Sequence, residues 1–396
     1  MNASAPRIAV IGAGVIGLSV ARSLARLGAQ VSILEQSRLG SGTSSTTFAW
    51  INSNGKQPES YHALNCAGMA EHVALQDGGA GEARWLDVCG TYEWAIDAAR
   101  QAQLDARATA LKALGYAVEN VSRASLQQRI PELRIDARSG TIRYFAEEAL
   151  VSPSILMARL WAEARSHGAV LRESVSVVDI AETPQGVTLD LSTGERWQGD
   201  YCVLATGRWT PELMPALGVS LAMLDANRPD KRACGFLAST DPQFVQLRAN
   251  LIGPELNVRP DGGGRLLLQA TDLDDRADPV HQAAVDGYVG REMLTRLRRL
   301  FANTGHARIE RLSVGQRSRP ADGLPAVGFV TARQRAYVVA THSGMTLGPL
   351  LGRLVAEELV HQRRDGLLAD YSPARLIDRD PRDFSPIASI HFPAEQ

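Results

Sequence analysis

Apolar and polar positions along this 396-residue chain fall into blocks that read as strands feeding helices. The apolar run Arg7–Ile11 leads straight into Gly12-Ala13-Gly14-Val15-Ile16-Gly17. A helical stretch to Gly28 follows, then a second strand, Gln30–Leu34, closing on Glu35. Helices are predicted at Glu59–Asp77, 94–114 and 153–168, the last from Ile155, Leu156, Leu160 and Trp161 at helical spacing. Strand-like runs come next at 170–171, 175–180, Gly186–Leu191 and 201–205, the last ending in Ala205-Thr206-Gly207. Between about 221 and 314, Pro and Asp turns, a hairpin across Asp261-Gly262-Gly263-Gly264 and a helix near 281–303 predict most of a second, antiparallel unit. Strand character returns from Leu312 through Arg317-Ser318-Arg319-Pro320 and Ala336–Ala340. Thr341-His342-Ser343-Gly344-Met345-Thr346 then opens a helix to about His361, and the tail from Pro373 reads as irregular.

The first block has the parts of a dinucleotide site. Gly12 permits a tight turn, Gly14 lets backbone approach a pyrophosphate, and Gly17 lets helix and strand pack closely. The helix N-terminus offers free N–H groups to phosphate. Glu35, 18 residues past Gly17 with Gln36 beside it, is placed to accept from ribose hydroxyls, and its charge disfavours a 2′-phosphate and hence NADP. The pattern by itself leaves NAD and FAD open. A hydroxyl loop, Gly40-Ser41-Gly42-Thr43-Ser44-Ser45-Thr46-Thr47, replaces the next strand–helix unit. With the second strand–glycine–helix junction at Gly344, it suits a longer ligand and favours FAD.

Composition narrows the partners. Net charge is −1 from 42 basic and 43 acidic residues, so no overall field favours nucleic acid or an anionic membrane. Four cysteines without CxxC or metal-ligand spacing point to reduced thiols, a cytoplasmic setting and no metal. No run of 18 apolar residues predicts a transmembrane helix. Asp272, Asp274, Asp275 and Asp278 read as a solvated turn, and His62 as a satisfied structural histidine.

Taken together, these pieces resemble the D-amino-acid oxidase family of flavoproteins, which includes glycine oxidase, sarcosine oxidase and D-amino-acid dehydrogenase. The resemblance rests on GAGVIG with Glu35, the Ser44–Thr47 hydroxyls, 144–153 leading into a helix, and 172–180. Ala205-Thr206-Gly207 with Trp209, and Arg317 to Gly328 followed by His342-Ser343-Gly344, complete it. It implies an α/β fold, with a doubly wound Rossmann-like FAD-binding domain from 1–84, 146–218 and 313–373. A mixed antiparallel-sheet substrate domain from 85–145 and 219–312 and an irregular tail from 374 to 396 complete that division. Amides of Val15 and Ile16 would sit beside the pyrophosphate, and Glu35 would hold the adenosine ribose. Ser44 and Ser45 would lie near phosphate and flavin, Val177 near adenine, and Ala205 and Gly207 at the strand end. Gly344, Met345 and Thr346 would face the flavin pyrimidine, although Met345-Thr346 departs from the smaller residues of the family pattern.

The resemblance also implies the chemistry: oxidation of a C–N bond in an amino acid or N-substituted amino acid, by hydride transfer to flavin N5. Arg317, five residues before Asp322-Gly323, matches the arginine that holds substrate carboxylate. Arg319, two residues on, would share its face in a strand. Trp50, within Phe48-Ala49-Trp50-Ile51-Asn52-Ser53-Asn54, is a further candidate for the substrate cavity, while His342 is a candidate either to hydrogen-bond the flavin ring edge or to cap the helix that follows it. Gly315-Gln316-Arg317-Ser318 lacks the cysteine of sarcosine-oxidase-like members, so FAD is expected to be non-covalent. The 265–269 run offers no lysine near the flavin. Oxygen or a quinone would be the acceptor. Alternatives are a dehydrogenase subunit feeding a partner protein, a flavin-binding protein without turnover, or a tailoring oxidase for another amine. A homo-oligomer is compatible with all of these.

Overall fold

The strand Arg7–Ile11 sits inside a six-stranded sheet of order Ala326–Phe329, Ala336–Ala340, Tyr201–Leu204, Arg7–Ile11, Gln30–Leu34, Val170–Arg172. All neighbours are parallel except the first pair. This is a computed structural model describing residues 5–78, 83–230, 232–281 and 283–385. Both faces of the sheet are covered, which is why its strands are continuously apolar. Ile8 and Val10 face a layer formed by the helices Val15–Arg26, Pro153–Ser166 and Gly344–His361. Ala9 and Ile11 point the other way, onto the three-stranded meander Val177–Thr183, Gly186–Leu191, Arg196–Gly199. Such alternation is the two-residue period of a strand read from its two sides.

A second, eight-stranded sheet carries the far side of the molecule. Its order is Ile309–Gln316, Cys234–Thr240, Leu266–Gln269, Asn257–Pro260, Asn250–Ile252, Thr91–Glu93, Ile142–Phe145, Val118–Val121. Only Asn250–Ile252 with Thr91–Glu93 runs parallel. The predicted hairpin joins Asn257–Pro260 to Leu266–Gln269. Phe236, Leu251, Leu268, Met293 and Phe301 fill the core beneath. Strand Ile309–Gln316 ends just before Arg317.

Several boundaries differ from the sequence reading. The strand expected from 175 begins at Val177, because Ser174 turns at φ +57° and Val175 N bonds Glu35 O at 2.9 Å. The helix expected over 94–114 runs Ala98–Ala113, since the Asp97 carboxylate accepts from Arg100 N at 2.9 Å and caps it there. The helix near 281–303 is Tyr288–Leu300. Strands such as Val118–Val121 and Thr91–Glu93 carried no pattern to find: they are three or four residues long, with charged positions inside them. The tail makes short turns at Pro373–Arg375 and Pro381–Asp383, and its last part, from 386, lies outside the described residues.

Candidate active site

Around Arg7–Ile11 the strand order reverses, and a crevice opens at the carboxyl ends of Arg7–Ile11 and Tyr201–Leu204. Gly12 makes the turn at φ +101°, and a Cβ on it would lie 2.7 Å from Ala205 O. A Cβ on Gly17 would meet Gly12 O at 1.9 Å, so the helix Val15–Arg26 can rest on the turn only with glycine there. The Glu35 carboxylate accepts from Ala13 N and Ser37 N, both at 2.8 Å, and clamps the glycine loop to the end of the second strand. Ser44 Oγ accepts from Val15 N at 3.0 Å. One of the two amides expected to face a phosphate is thus bonded to the hydroxyl loop.

The crevice has a void of about 1230 Å³ measured out to its open mouth. Gly12, Gly14, Val15, Ile16, Glu35, Gln36, Ser44 and Val177 line one stretch of it; Ala205, Gly207, His342, Gly344 and Met345 line another. Gly17 packs beneath instead of lining it. Ser45 is not among the lining residues: its hydroxyl turns back to donate to Gly42 O at 3.0 Å, while Thr43 and Thr47 line the void.

The second helix start is held by a device the sequence reading missed. In a helix the amide of residue 349 would donate to Met345 O, but Pro349 has no N–H. His72 fills the gap, its Nε2–H donating to Met345 O at 2.7 Å. Burial lowers the His72 pKa to about 4, against smaller upward pulls from that bond and from Glu71. The ring is therefore neutral at pH 7. Ser343, not His342, occupies the N-cap position, and its Oγ pairs with Tyr61 Oη at 2.7 Å.

Behind the crevice lies a second chamber of about 810 Å³, sharing Thr43, Thr47, His342 and Met345 as common walls. Trp50, Asn52, Lys56, Gln269, Arg317 and Thr346 also line it. Arg317 is built in, not loose. Its Nη2 lies 3.1 Å from Asp274 Oδ2, and its Nη1 donates to Cys234 O at 3.1 Å. Asp274 also accepts from Phe236 N at 2.9 Å. Burial pushes its carboxyl up to about 6, with Arg317 opposing that rise. Asp274 thus departs from the expected solvated turn: the segment Thr271–Arg276 coils so that Asp274 is 2% exposed, while Asp272 pairs outside with Arg296 at 2.6 Å.

Arg319 does not line the chamber, and the shared strand face expected for it is not formed. Strand Ile309–Gln316 ends before Arg317, and Ser318 between the two arginines lines the crevice. Arg319 is buried alongside, its Nη1 donating to Arg232 O at 3.4 Å and its Nε without a hydrogen-bond partner among the described residues. The Trp50 indole Nε1 donates to Glu148 Oε2 at 2.7 Å and Thr91 Oγ1 at 3.0 Å, which fixes its ring in the wall. Burial raises Glu148 to about 8, and Tyr116 Oη lies 3.1 Å from its other oxygen. His62 is a structural residue as expected, with Nδ1 2.8 Å from Ser53 Oγ. Lys56 was overlooked: the 265–269 run has no lysine, but this one reaches the chamber from the loop after Asn54. Its signal was visible, since it is one of only three lysines and follows the unusual aromatic–asparagine stretch.

Two helix starts without side-chain caps of their own, a carboxylate at the end of the second strand and a long crevice sharing walls with a second polar chamber define a flavin-dependent oxidoreductase. The chain belongs to the FAD dependent oxidoreductase family that contains D-amino-acid oxidase, whose profile matches residues 7–358. It is similar to glycine oxidase of Geobacillus kaustophilus, 27% identical over 385 residues that cover 94% of this chain and 97% of the relative. The crystal structure of glycine oxidase from that organism superimposes with a TM-score of 0.81 at 25% identity, covering 93% and 99% of the two chains. One of the subunits of opine oxidase from Agrobacterium tumefaciens is 24% identical over 92% of this chain and 96% of its own. FAD is the cofactor. Among the described residues no helix is long and apolar enough to cross a membrane.

Proposed function

We propose that this chain oxidises the C–N bond of an amino acid or N-substituted amino acid. The observation that carries the reading is the placement of Arg317: a buried guanidinium, oriented by Asp274, in a chamber that shares walls with the FAD crevice. A planar guanidinium matches the two oxygens of a carboxylate. Holding that carboxylate fixes the amino-acid Cα at the shared wall, so this chain's contribution is chiefly positioning. FAD, when bound, supplies the two-electron acceptor. The Cα–H bond breaks with its electron pair leaving as hydride, and the nitrogen lone pair closes the C=N bond. Water then adds to the imine, giving an oxo acid or aldehyde plus ammonia or amine. Trp50, His342 and Thr346 shape the chamber around the amine.

On this reading FAD is non-covalent and lies along the crevice. Gly12, Gly14, Val15, Ile16 and Gly17 form its pyrophosphate end, with Ser44 and Ser45 nearby. Glu35 and Gln36 sit at its ribose and Val177 at its adenine. Ala205, Gly207, Gly344 and Met345 lie toward the flavin. Segments 1–84, 146–218 and 313–373 hold it, and 85–145 with 219–312 close the chamber. Support comes from the similarity to glycine oxidase. A second reading, in which the chain passes electrons to a quinone or partner protein, draws support from the opine oxidase relative, which is itself part of a larger enzyme.

Anaerobic flavin bleaching against amino acids, N-alkyl glycines and plain amines tests the proposal. Carboxylated amines are expected to bleach and plain amines are not. An Arg317→Ala protein that keeps flavin and an unchanged kcat/KM on its best carboxylated amine sinks the anchoring role. Oxygen consumption set against dye reduction separates an oxidase from an electron-passing component.

A further inference from the structure

Glu148 is fully buried beside Trp50, and its two oxygens have different kinds of partner. Oε2 accepts from Trp50 Nε1 at 2.7 Å, and an indole N–H can only donate. Oε1 lies 3.1 Å from Tyr116 Oη, and a phenol can donate or accept. Tyr116 Oη also accepts from Ser53 N at 3.0 Å and lies 3.8 Å from Met69 Sδ, a second place for its hydrogen. The network is therefore complete in two proton states. With Glu148 ionised, the Tyr116 O–H points to Oε1. With Glu148 protonated, the proton sits on Oε1, because Oε2 faces the indole N–H. It then donates to Tyr116 Oη, and the phenol hydrogen turns to Met69 Sδ. Neither state leaves a buried donor of this network without an acceptor. Burial raises the Glu148 carboxyl to about 8, so it titrates just above neutral pH. Burial and the neighbouring Glu148 push the Tyr116 phenol up, so it keeps its proton throughout.

Other groups face this pair from the neighbouring elements. Glu93, on the strand face it shares with Thr91, is committed to Arg107. Lys56 acts on Glu148 from the loop after Asn54. His62, on helix Glu59–Asp77, meets the edge of the Tyr116 ring at 5.5 Å. Burial pushes the thiol of Cys66, one turn further on, up from its ordinary value. Glu147, next in the chain, is exposed.

Resting on the amine-oxidation reading, we propose that Glu148 is a positioning residue: its proton state sets how firmly the Trp50 ring is held in the chamber wall, and so how tightly a carboxylated amine is bound. Glu148 itself does not line the chamber; Trp50 does, and carries the effect there. A hydrogen bond to an ionised carboxylate is shorter and about twice as strong as one to a neutral acid. As pH rises, Glu148 gives its proton to water, the Tyr116 O–H swings from Met69 Sδ to Oε1, and the indole is gripped harder.

The test uses the FAD-loaded enzyme between pH 6.5 and pH 9, with Glu148→Gln as the permanently uncharged form. An indole absorbance difference across this range should appear in wild type and vanish in Glu148→Gln and Trp50→Phe. Binding is read by flavin spectral titration with (methylthio)acetate, a carboxylate with no amine to titrate or oxidise. Lys56, lowered to about 8 chiefly by burial, titrates in the same window, and its loss of charge weakens anion binding as pH rises. The Glu148 effect is therefore read as a difference between proteins. The ratio of Kd at pH 6.5 to Kd at pH 9 should be at least threefold larger in wild type than in either variant. KM for carboxylated amines should follow it, with kcat changing less. Tyr116→Phe, which removes a donor to the ionised acid, should raise the midpoint by at least half a pH unit; this arm decides alone if Glu148→Gln melts early. A pH profile unchanged in Glu148→Gln overturns the proposal. So does a Glu148-dependent step that survives in Trp50→Phe, because the carboxyl then acts through space. An indole step with no change in ligand or amine binding also overturns it. A Kd step that needs both Glu148 and Trp50, with no amine bleaching the flavin, keeps the positioning role and defeats the amine-oxidation reading.

Discussion

Arg317 Nη2 and Asp274 Oδ2 lie 3.1 Å apart in the chamber wall, with 9% and 2% of their side chains exposed. A guanidinium facing a substrate cavity is thus locked by a carboxylate that belongs to a different part of the second sheet's domain. The pair does two things. It fixes the direction of the guanidinium, and it neutralises a buried charge beside the chamber.

Replacing Asp274 by Asn keeps an oxygen for Phe236 N and removes the charge. Breaking a buried pair from one side costs about 3 kcal/mol, because the remaining ion is left uncompensated. Asp274→Asn is expected to lower unfolding free energy by about that amount in denaturant melts and to raise KM for carboxylated amines more than it lowers kcat. A variant as stable as wild type, with unchanged KM, means that the pair has no part in orienting Arg317.

Gly235 gives a gentler probe of the same pair. A Cβ there would come 2.4 Å from Asp274 Oδ2 and 2.6 Å from Arg317 Nη2. Both are the far ends of side chains, so the protein answers by moving them rather than by unfolding. Gly235→Ala should retain FAD and most of its stability, yet raise KM for carboxylated amines roughly tenfold, on the order of 1.4 kcal/mol. Measured flavin content and Michaelis constants decide it.

How much of this was legible in the sequence follows from the range of the interactions. The glycine turn, its helix and the strand Gln30–Leu34 ending at Glu35 are local, each encoded within a few residues, and they fall where the pattern put them. Trp50 was chosen by its neighbourhood and Arg317 by its place in the family pattern, and both line the chamber. Asp274, Glu148 and His72 were missed because their partners lie 43, 98 and 273 residues away. Nothing near Asp274 in the chain distinguishes it from Asp272. Only the coil of Thr271–Arg276 decides which one is buried. Lys56 was passed over for a similar reason: a lysine was sought in the strand corresponding to the family's, and this one arrives from another loop.

Gly17 tests the local part. A Cβ there would meet the Gly12 carbonyl oxygen at 1.9 Å, and both contacting groups are backbone, so the helix itself must shift. Moving Val15 and Ile16 relative to Glu35 and Ser44 spoils the crevice before it spoils the core. Gly17→Ala is expected to purify largely as colourless apoprotein with FAD affinity reduced at least tenfold, while far-ultraviolet circular dichroism stays close to wild type. Full flavin occupancy in that variant contradicts the account of the turn.

His72 supplies a pH signature. Its pKa is lowered from 6.5 to about 4 chiefly by burial, and its Nδ1 has no hydrogen-bond partner among the described residues, so protonation would create a buried donor without an acceptor there. Between pH 6.5 and pH 4 the unfolded chain takes up this proton and the folded chain does not. Stability therefore falls as pH drops through that window, at up to about 1.4 kcal/mol per pH unit, and the loss is complete below about pH 4. Gln at position 72 keeps an N–H for Met345 O but does not titrate. His72→Gln should consequently lose less stability than wild type on acidification from pH 7 to pH 4.5, measured as the difference between paired denaturant melts. The two proteins should be closest at pH 7 and diverge steadily below 6.5. Parallel acid profiles would mean that the neutral imidazole is not what holds Met345 O where the helix lacks its own donor.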